Sequence, residues 1–482
     1  MPIIINGQTI RKINGPSTMV CLKPNRNVEG DNYIVLFGDI HTEDRFQHCF
    51  NELDCVELIQ EFVPILNDYA KNMRTDFYVE RFMSDYLLEN KNVAHNTNIF
   101  EKTQQILEFM HDIKELAEVS PNTGKKVLQQ RKNELIKKFN RDLVYVREHQ
   151  PSNLTHLSAL YKPCFYHEKY KDKFCKYKNI KWQFGDPRQM SEKGKNFNIL
   201  NFTMDMSNFQ IFYQLFVSNE KITQDDLDEL FYSLDNAKTT FQTIKICASD
   251  PTEFVRRIYA SQLMQKQLTK MSSAEREIYT EESFHELASL YFVQMFEKYD
   301  RKQLFKILDV LLVYSDIYDK SGSFDAKFKP MAQELLKMLN GIKLSPELAL
   351  QYYYIPLGMV CIILDMYFIL RINKREYGNL NKKLVVGYFG VEHVNKIQHY
   401  LVNIVKTHAV EFEFDSTDQP DNDNPRLERD GLRRIHITDT TNIDLDAFAS
   451  SSRSMSERNS KTRRSRSGSG RKSSTQTRSK SK

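Results

Sequence analysis

Polar side chains that can bind a metal or move a proton follow four apolar segments of the chain. One segment, YIVLFG from Tyr33, runs directly into acidic and imidazole groups, and LVVGYFG from Leu384 does the same far downstream. Imidazole and carboxylate groups together suit a divalent metal such as Zn, Mn or Co. A guanidinium beside them can hold a carboxylate or a developing oxyanion. The polar residues are Asp39 and His41, Glu80 and Arg81, Asp186 and Arg188, and Glu392 and His393.

Each apolar segment is predicted to be a β-strand that delivers these groups to its carboxyl end. Ligands of open α/β sheets sit at the carboxyl ends of the strands, so we expect the polar residues to converge on one crevice. A single His after a strand is more often a surface or hydrogen-bonded residue than a ligand. The prediction therefore depends on the repetition of the pattern. The predicted strands span 33–38, 76–80, 180–190 and 384–389.

Two Gly-x-x-His motifs with a Glu between them resemble the pattern of the TraB/PrgY/TIKI group and the related erythromycin-esterase/ChaN-like proteins. Gly38 and His41 match the first motif, Glu80 matches the end of the second strand, and Gly390 and His393 match the last motif. The resemblance implies a mixed α/β core with a helical insert. Some members look like metal-dependent peptidases, some bind haem, and others have no settled activity.

The family's Arg on a late helix is matched by Arg371, in LDMYFILRIN. The Glu that usually precedes this Arg is absent, because Leu370 stands there, and Asp365 is a candidate to take its part. The resemblance covers 33–82 and 360–413, about 104 of the 482 residues.

The first functional hypothesis is a metal-dependent hydrolase of the TraB/TIKI-like kind. Its metal, Zn, Mn or Co, would activate a water and polarise a carbonyl group. The expected metal ligands are His41, Glu80 and His393. Asp39 or Glu392 is expected to be a further ligand or the general base. Arg371 or Arg188 is expected to stabilise the oxyanion, and Asp186, close to Arg188 in the sequence, is a further site candidate.

Two other functions stay open. Residues 39–41, Asp-Ile-His, are similar to the Asp-x-His that opens calcineurin-like metallophosphoesterases, but that family needs a Gly-Asp where Glu80 and Arg81 stand. The other alternative is a non-enzymatic viral or structural protein that keeps the fold. In that case a basic tail would bind nucleic acid or acidic partners.

The order of predicted elements indicates the α/β class, with a mixed sheet, flanking helices and a large helical insertion. A chain of 482 residues with 40% hydrophobic content can bury a substantial core. We expect residues 1–415 to form the core with the insertion at about 99–375, residues 416–450 to form an acidic linker, and residues 451–482 to form a disordered basic tail.

Apolar residues at helical spacing predict helices between the strands. The most apolar of them, 352–372, has the length of a membrane span, but it contains Pro356 and Asp365. A carboxylate at that depth is costly, so we expect a buried core helix and no membrane span. The predicted helical stretches are 46–72, 99–118, 124–147, 205–375 and 394–408, and a last strand is predicted at 409–414.

The segment 451–482 contains eleven Lys or Arg and one Glu, a net charge of +10, so the rest of the chain carries −5 to give the total of +5. Its apolar content is too low to offset the entropy of ordering. Its positive charge suits nucleic acid or acidic proteins as partners, and a solubilising tail is the alternative.

The seven cysteines are odd in number and include no Cys-x-x-Cys pair, which favours a reduced, cytoplasmic setting. The start, MPIIINGQTIRK, is not typical of a secretory signal. Cys164, His167 and Cys175 form a weaker zinc candidate without an evident fourth ligand. A composition rich in Asn, Lys, Ile, Tyr and Phe resembles proteins of large DNA viruses, which implies host cytoplasm or the virion.

Overall fold

The computed structural model describes the parts of the chain that build the core. The described residues are 3–10, 12–25, 32–39, 55–80, 157, 161–165, 175–187, 215–216, 221–234, 236–296, 301–318, 329–342, 344–374, 383–415, 434–436 and 443–444. The strands are β1 (Ile3–Ile5), β2 (Gln8–Ile10), β3 (Lys12–Asn14), β4 (Thr18–Pro24), β5 (Asn32–Asp39), β6 (Cys55–Glu57), β7 (Thr75–Val79), β8 (Lys181–Phe184), β9 (Lys383–Gly390), β10 (His408–Asp415), β11 (Arg434–His436) and β12 (Ile443–Asp444). The helices are α1 (Val63–Tyr69), α2 (Gln224–Ser233), α3 (Ala237–Ser249), α4 (Pro251–Tyr259), α5 (Gln262–Leu268), α6 (Ser273–Ile278), α7 (Glu281–Phe296), α8 (Arg301–Ile317), α9 (Lys329–Asn340), α10 (Pro346–Ile372) and α11 (Val391–His399).

A six-stranded mixed sheet forms the centre of the fold, in the order β10-β4-β5-β9-β7-β8. The four strands β5, β9, β7 and β8 are parallel, and β4 and β10 extend the sheet in antiparallel fashion beyond β5. Although β9 comes last of the four parallel strands in the chain, it lies between β5 and β7. Segments that are distant in the sequence therefore end next to one another at the carboxyl edge of the sheet. Two three-stranded sheets, β12-β1-β2 and β11-β3-β6, complete the described strands.

The parallel strands are apolar on both faces because both faces are covered. All eight residues of β5 and all eight of β9 are buried, as expected for parallel strands inside an α/β fold. Successive side chains point to opposite faces. Leu36 and Val385 pack with the helical layer, whereas Val35 and Phe37 pack in a second core with α1 and the amino-terminal strands. The sheet thus separates two hydrophobic cores.

The long helix α10 anchors the helical layer on the sheet. It starts at a cap in which Ser345 accepts a hydrogen bond from the backbone N–H of Leu348, and Pro346 occupies its first turn. Near its other end, the Phe368 ring packs edge-on against Tyr78 at 5.2 Å and against Phe389 at 4.7 Å. These contacts fix the carboxyl-terminal half of α10 across β7 and β9.

The expectation of a core helix rather than a membrane span is confirmed for α10. By length and composition, Glu347–Ile372 is apolar enough to cross a bilayer, but 83% of its most apolar window is buried inside the protein. The part of the chain that the structure describes therefore contains no clear membrane span.

The second core is rich in aromatic rings and contains a disulfide. Trp182 stacks on Phe77 at 4.9 Å and on Tyr161 at 4.6 Å. Cys164 and Cys175 are joined by a disulfide with a Cα–Cα distance of 4.7 Å. The two sulfur atoms suggested as zinc ligands are therefore bonded to each other, while His167 lies outside the described residues.

The predicted class, a mixed α/β sheet with flanking helices and a large helical insertion, is confirmed. The strands predicted at 33–38, 76–80 and 384–389 correspond to β5, β7 and β9. Within the described part of the third predicted strand, 180–190, the strand spans Lys181–Phe184 and ends before Gly185, and residues 188–190 lie outside the described residues. The predicted strand at 409–414 is β10.

The structure contains three features that the sequence did not predict. The stretch 46–72 was expected to be one helix, but Cys55–Glu57 is a strand paired with β3, and the α-helix begins at Val63. The sequence did not predict β4, which sits inside the main sheet. Within 416–450, predicted to be an acidic linker, β11 pairs with β3 and β12 pairs with β1. The helices at 99–118 and 124–147 and the tail at 451–482 lie outside the described residues.

A buried histidine ties the first residue of β10 to the first residue of β5. The Nε2–H group of His408 donates to the carbonyl oxygen of Asn32 over 3.0 Å, and its Nδ1 atom lies 2.9 Å from the hydroxyl of Thr407. Burial lowers the pKa of His408 to about 4, although the hydrogen bond to Asn32 opposes this shift. His408 is therefore neutral in the folded protein at physiological pH.

This histidine predicts a loss of stability in acid. Because the pKa of His408 is lower in the folded than in the unfolded state, its contribution is present above about pH 6.5 and is lost as the pH falls towards about 4. The loss should reach on the order of 3 kcal/mol of unfolding free energy. In His408→Gln, whose amide can still donate to Asn32, this part of the pH dependence should disappear. Urea unfolding of both proteins at pH 7 and pH 4.5 measures the difference, and equal pH dependence would contradict the assignment.

Candidate functional site

The carboxyl ends of three parallel strands lie side by side, as the sequence predicted for this edge of the sheet. Gly390 pairs with Asp39 across β9 and β5, and Tyr388 pairs with Val79 across β9 and β7. Glu80 follows β7 directly, and its backbone N–H donates to the carbonyl oxygen of Tyr388 over 2.9 Å. The ends of β5, β9 and β7 thus form one surface over which α11 begins.

Gly38 allows α11 to begin this close to β5. A Cβ atom at this position would overlap the Thr18 hydroxyl and lie 3.1 Å from the Cα atom of Val391, the first residue of α11. Any larger side chain would push the helix away from the strand. This close approach places His393 in the first turn of α11, which gives a physical reason for a Gly in this part of the sequence pattern.

His393 lies between two carboxylates. Its Nδ1 atom is 2.6 Å from Oδ1 of Asp365, on α10, and its Nε2 atom is 3.5 Å from Oε1 of Glu80. His393 is 6% exposed and Asp365 is fully buried. Since a carboxylate can only accept, the Nδ1–H group donates to Asp365, and the Nε2 side of the ring is directed at Glu80.

Both carboxylates are held by a second donor. The hydroxyl of Tyr291, on α7, donates to the other oxygen of Asp365 over 2.5 Å. The other oxygen of Glu80 accepts the backbone N–H of Gly390 over 2.5 Å, at the amino-terminal end of α11. The end of a helix with free N–H groups favours a negative charge. The contacts therefore form a chain from Tyr291 through Asp365, His393 and Glu80 to Gly390.

The two carboxylates beside His393 oppose the effect of burial on the pKa of its imidazole. Burial alone would lower the pKa of His393, but the charges of Asp365 and Glu80 together outweigh it, and the pKa of His393 lies well above its ordinary value. Burial, followed by the charge of Asp365, raises the pKa of Tyr291 well above its usual range, so its hydroxyl stays a donor. Both carboxylates therefore favour the protonated form of the His393 imidazole.

Three of the other predicted site residues are not members of this hydrogen-bonded chain. Asp39 is buried and accepts a hydrogen bond from the hydroxyl of Tyr388 over 3.0 Å. Tyr388 belongs to the second core, on the face of the sheet opposite to the helical layer that holds Asp365 and His393. Glu392 is exposed in the first turn of α11, and Asp186 is buried just after β8.

The predicted oxyanion arginine contacts different partners. The guanidinium of Arg371 donates to the hydroxyl of Tyr367 over 2.6 Å and to the side-chain oxygen of Gln183. It lines a cavity that also contains the side chains of Arg74 and Lys383. His41 and Arg188 lie outside the described residues, so their predicted roles stay predictions.

Asp365 and Tyr291 belong to the site, although neither was predicted as a central member. Asp365 did give a signal, because it is the acidic residue within an apolar segment and a buried carboxylate requires a partner. Tyr291 gave none. It lies 74 positions before Asp365, in a helix with many other apolar and aromatic residues.

The donor set partly fits a metal. Nε2 of His393 and Oε1 of Glu80 face each other, while the other ring nitrogen of His393, Nδ1, is hydrogen-bonded to Asp365. Among the described residues, no group of three or more His, Cys, Asp or Glu side chains is arranged to hold a metal. A complete site would need a further ligand, and the resemblance implies His41 for that position.

Comparisons with protein-family models, curated proteins and solved structures found no match to this chain. The geometry around His393 is therefore the basis for inferring the function of this protein.

The ion pair itself can be tested in chelator-treated protein. Asp365→Asn removes a buried negative charge beside His393, so the pKa of His393 should fall, because the largest charge that raises it is gone. Tyr291→Phe is the matched control, because it removes a hydrogen bond to Asp365 but keeps the charge, and it should change the pKa of His393 far less. NMR titration of protein with 15N-labelled histidine measures both values. An unchanged titration of His393 in Asp365→Asn would contradict the ion pair.

Proposed function

We propose that the protein is a metal-dependent hydrolase whose metal is held by His393 and Glu80, with His41 as the third protein ligand. The observation that supports this is the 3.5 Å distance between Nε2 of His393 and Oε1 of Glu80. Two zinc ligands at about 2.0–2.2 Å from the metal in a tetrahedral arrangement are about 3.4 Å apart. The two donor atoms are therefore spaced as ligands of one ion.

The surrounding contacts support the same proposal. Metal-binding histidines commonly donate their other ring N–H to a carboxylate, which fixes the tautomer and the ring orientation. Asp365 accepts such a bond from His393 and is itself held by Tyr291. The N–H of Gly390 orients the Glu80 carboxylate. Metal binding would displace the proton from Nε2 of His393, so occupancy should rise with pH.

The chain's own residues suggest roles around a bound metal. The metal, once present, would supply an activated water and polarise a carbonyl group. Glu392 is the exposed carboxylate next to His393, and we assign it the role of general base. Asp39 already accepts the Tyr388 hydroxyl and has a structural role in this proposal. The substrate class that fits this chemistry is an amide or ester, including a peptide.

Zinc binding to chelator-stripped protein tests the proposal. One Zn2+ per chain should bind and raise Tm, with a stabilisation of about 3 kcal/mol when free zinc is a hundred times its Kd. His393→Ala and Glu80→Gln should each lose most of the bound metal, since a site with three protein ligands tolerates little loss. Elemental analysis after dialysis gives the stoichiometry, and thermal unfolding gives the stabilisation.

The matched control for His393→Ala is His399→Ala, because His399 is an exposed histidine on the same helix. It should bind zinc like the natural protein. Substoichiometric metal in every preparation, with no gain in Tm on adding Zn, Mn or Co, would refute the enzyme proposal.

A second candidate function is a non-enzymatic interaction protein, and two observations favour it. The Asp365–His393–Glu80 chain is a complete set of ion pairs without a metal. The segment 451–482 carries a net charge of +10, which suits nucleic acid or an acidic protein. In this function the carboxyl edge of the sheet would serve stability alone.

Deletion of 451–482 tests the role of the tail. The truncated protein should keep its Tm within about 1 °C, because so few apolar residues are removed. Its affinity for double-stranded DNA should fall strongly, and the dependence of that affinity on salt should become shallower, since fewer phosphates are neutralised. Fluorescence anisotropy at 50 and 200 mM salt measures both. A large loss of Tm would show that the tail packs on the core, and unchanged DNA affinity would exclude it as the binding segment.

A further inference from the structure

A cavity of about 220 Å³ lies between the start of the parallel strands and the end of α10. Asp76 is the second residue of β7, and Lys181 and Lys383 are the first residues of β8 and β9. Arg371 lies in the last turn of α10, and Lys374 follows the end of this helix by two residues. The cavity thus opens near the amino ends of the strands, whereas Glu80 and His393 lie at their carboxyl ends.

The lining of this cavity is strongly positive. Its charged side chains are five cations and one carboxylate, a net charge of +4: Arg74, Lys181, Arg371, Lys374 and Lys383 against Asp76. A concave surface of one sign raises the local concentration of ions of the other sign.

Buried contacts hold several of these cations in place. Asp76 is 1% exposed, and its carboxylate binds the guanidinium of Arg74 at 3.2 Å and the ammonium of Lys383, itself 3% exposed, at 3.4 Å. One carboxylate is therefore shared by two cations. On the other wall, Tyr367 and Gln183 orient the guanidinium of Arg371. Since these side chains are fixed before any ligand arrives, binding would cost little ordering entropy.

We infer that this cavity binds the phosphate group of a small anion, such as inorganic phosphate, diphosphate or a phosphorylated metabolite. Arginine offers a planar set of N–H donors that matches phosphate oxygens, and lysine adds mobile positive charge. The volume is below the roughly 300–1,000 Å³ of cavities for drug-sized ligands, which favours a small anion over a nucleotide. The site goes beyond the proposed hydrolase function and does not depend on a metal at His393.

Calorimetric titration of the full-length protein with phosphate and with diphosphate tests the inference. A chelator in the buffer prevents diphosphate from binding through a metal at His393. We expect saturable binding of one anion per chain. The double variant Lys181→Ala/Lys374→Ala removes two half-exposed cations and should weaken binding about tenfold or more. If the double variant does not fold, Lys374→Ala alone replaces it.

The matched control removes two positive charges from the basic tail, in Arg471→Ala/Lys472→Ala, and should bind both anions like the natural protein. His393→Ala should also keep phosphate binding, which separates this site from the proposed metal site. The inference is overturned if neither anion binds saturably, if the cavity variant binds as well as the natural protein, or if the tail variant loses affinity to the same extent.

Discussion

The burial of one carboxylate inside the most apolar helix constrains the rest of the structure. Asp365 is fully buried in α10, and an unpaired ionised carboxylate there would cost several kcal/mol. His393, on α11, contacts the Asp365 carboxylate at 2.6 Å, and Tyr291, on α7, donates a hydrogen bond to the same carboxylate. The helices α7, α10 and α11 are therefore positioned around one group, above the carboxyl ends of the strands.

The same helix connects the two ends of the sheet. Asp365 contacts the candidate metal ligand His393, and Arg371, six positions later and about 9 Å along the helix axis, lines the basic cavity. Between them, Phe368 packs on β7 and β9 through Tyr78 and Phe389. A small displacement of α10 would therefore alter the surroundings of both sites, because its contacts with the sheet are rigid and closely packed.

The strands that carry the candidate site could be predicted from the sequence because their signals are local. A buried parallel strand is a continuous apolar run, and Gly38 and Gly390 with the polar residues after them mark where such runs end. The strand β4 was missed for the opposite reason. A few apolar residues such as Val20 and Leu22 become a strand only because β5 and β10 are available as neighbours, and those partners are remote in the sequence.

The residues of the candidate site also fall into two groups, those marked by the local sequence and those that depend on contacts between distant segments. Glu80 and His393 follow strands and could be recognised, whereas the pairing of Asp365 with His393 depends on how α10 and α11 cross. No local pattern specifies that crossing. Arg371 looked like a catalytic residue from its place in the sequence, but its contacts with Tyr367 and Gln183 depend on which side chains of β8 meet the end of α10.

The central claim is that His393 and Glu80 are ligands of one metal. Anomalous diffraction at the zinc edge, from crystals of the full-length protein grown with zinc, tests it most directly. We expect a peak within about 2.0–2.2 Å of both Nε2 of His393 and Oε1 of Glu80, with Asp365 still hydrogen-bonded to Nδ1. A structure with no peak between these atoms, and with the His393 ring bonded directly to the Glu80 carboxylate, would contradict it.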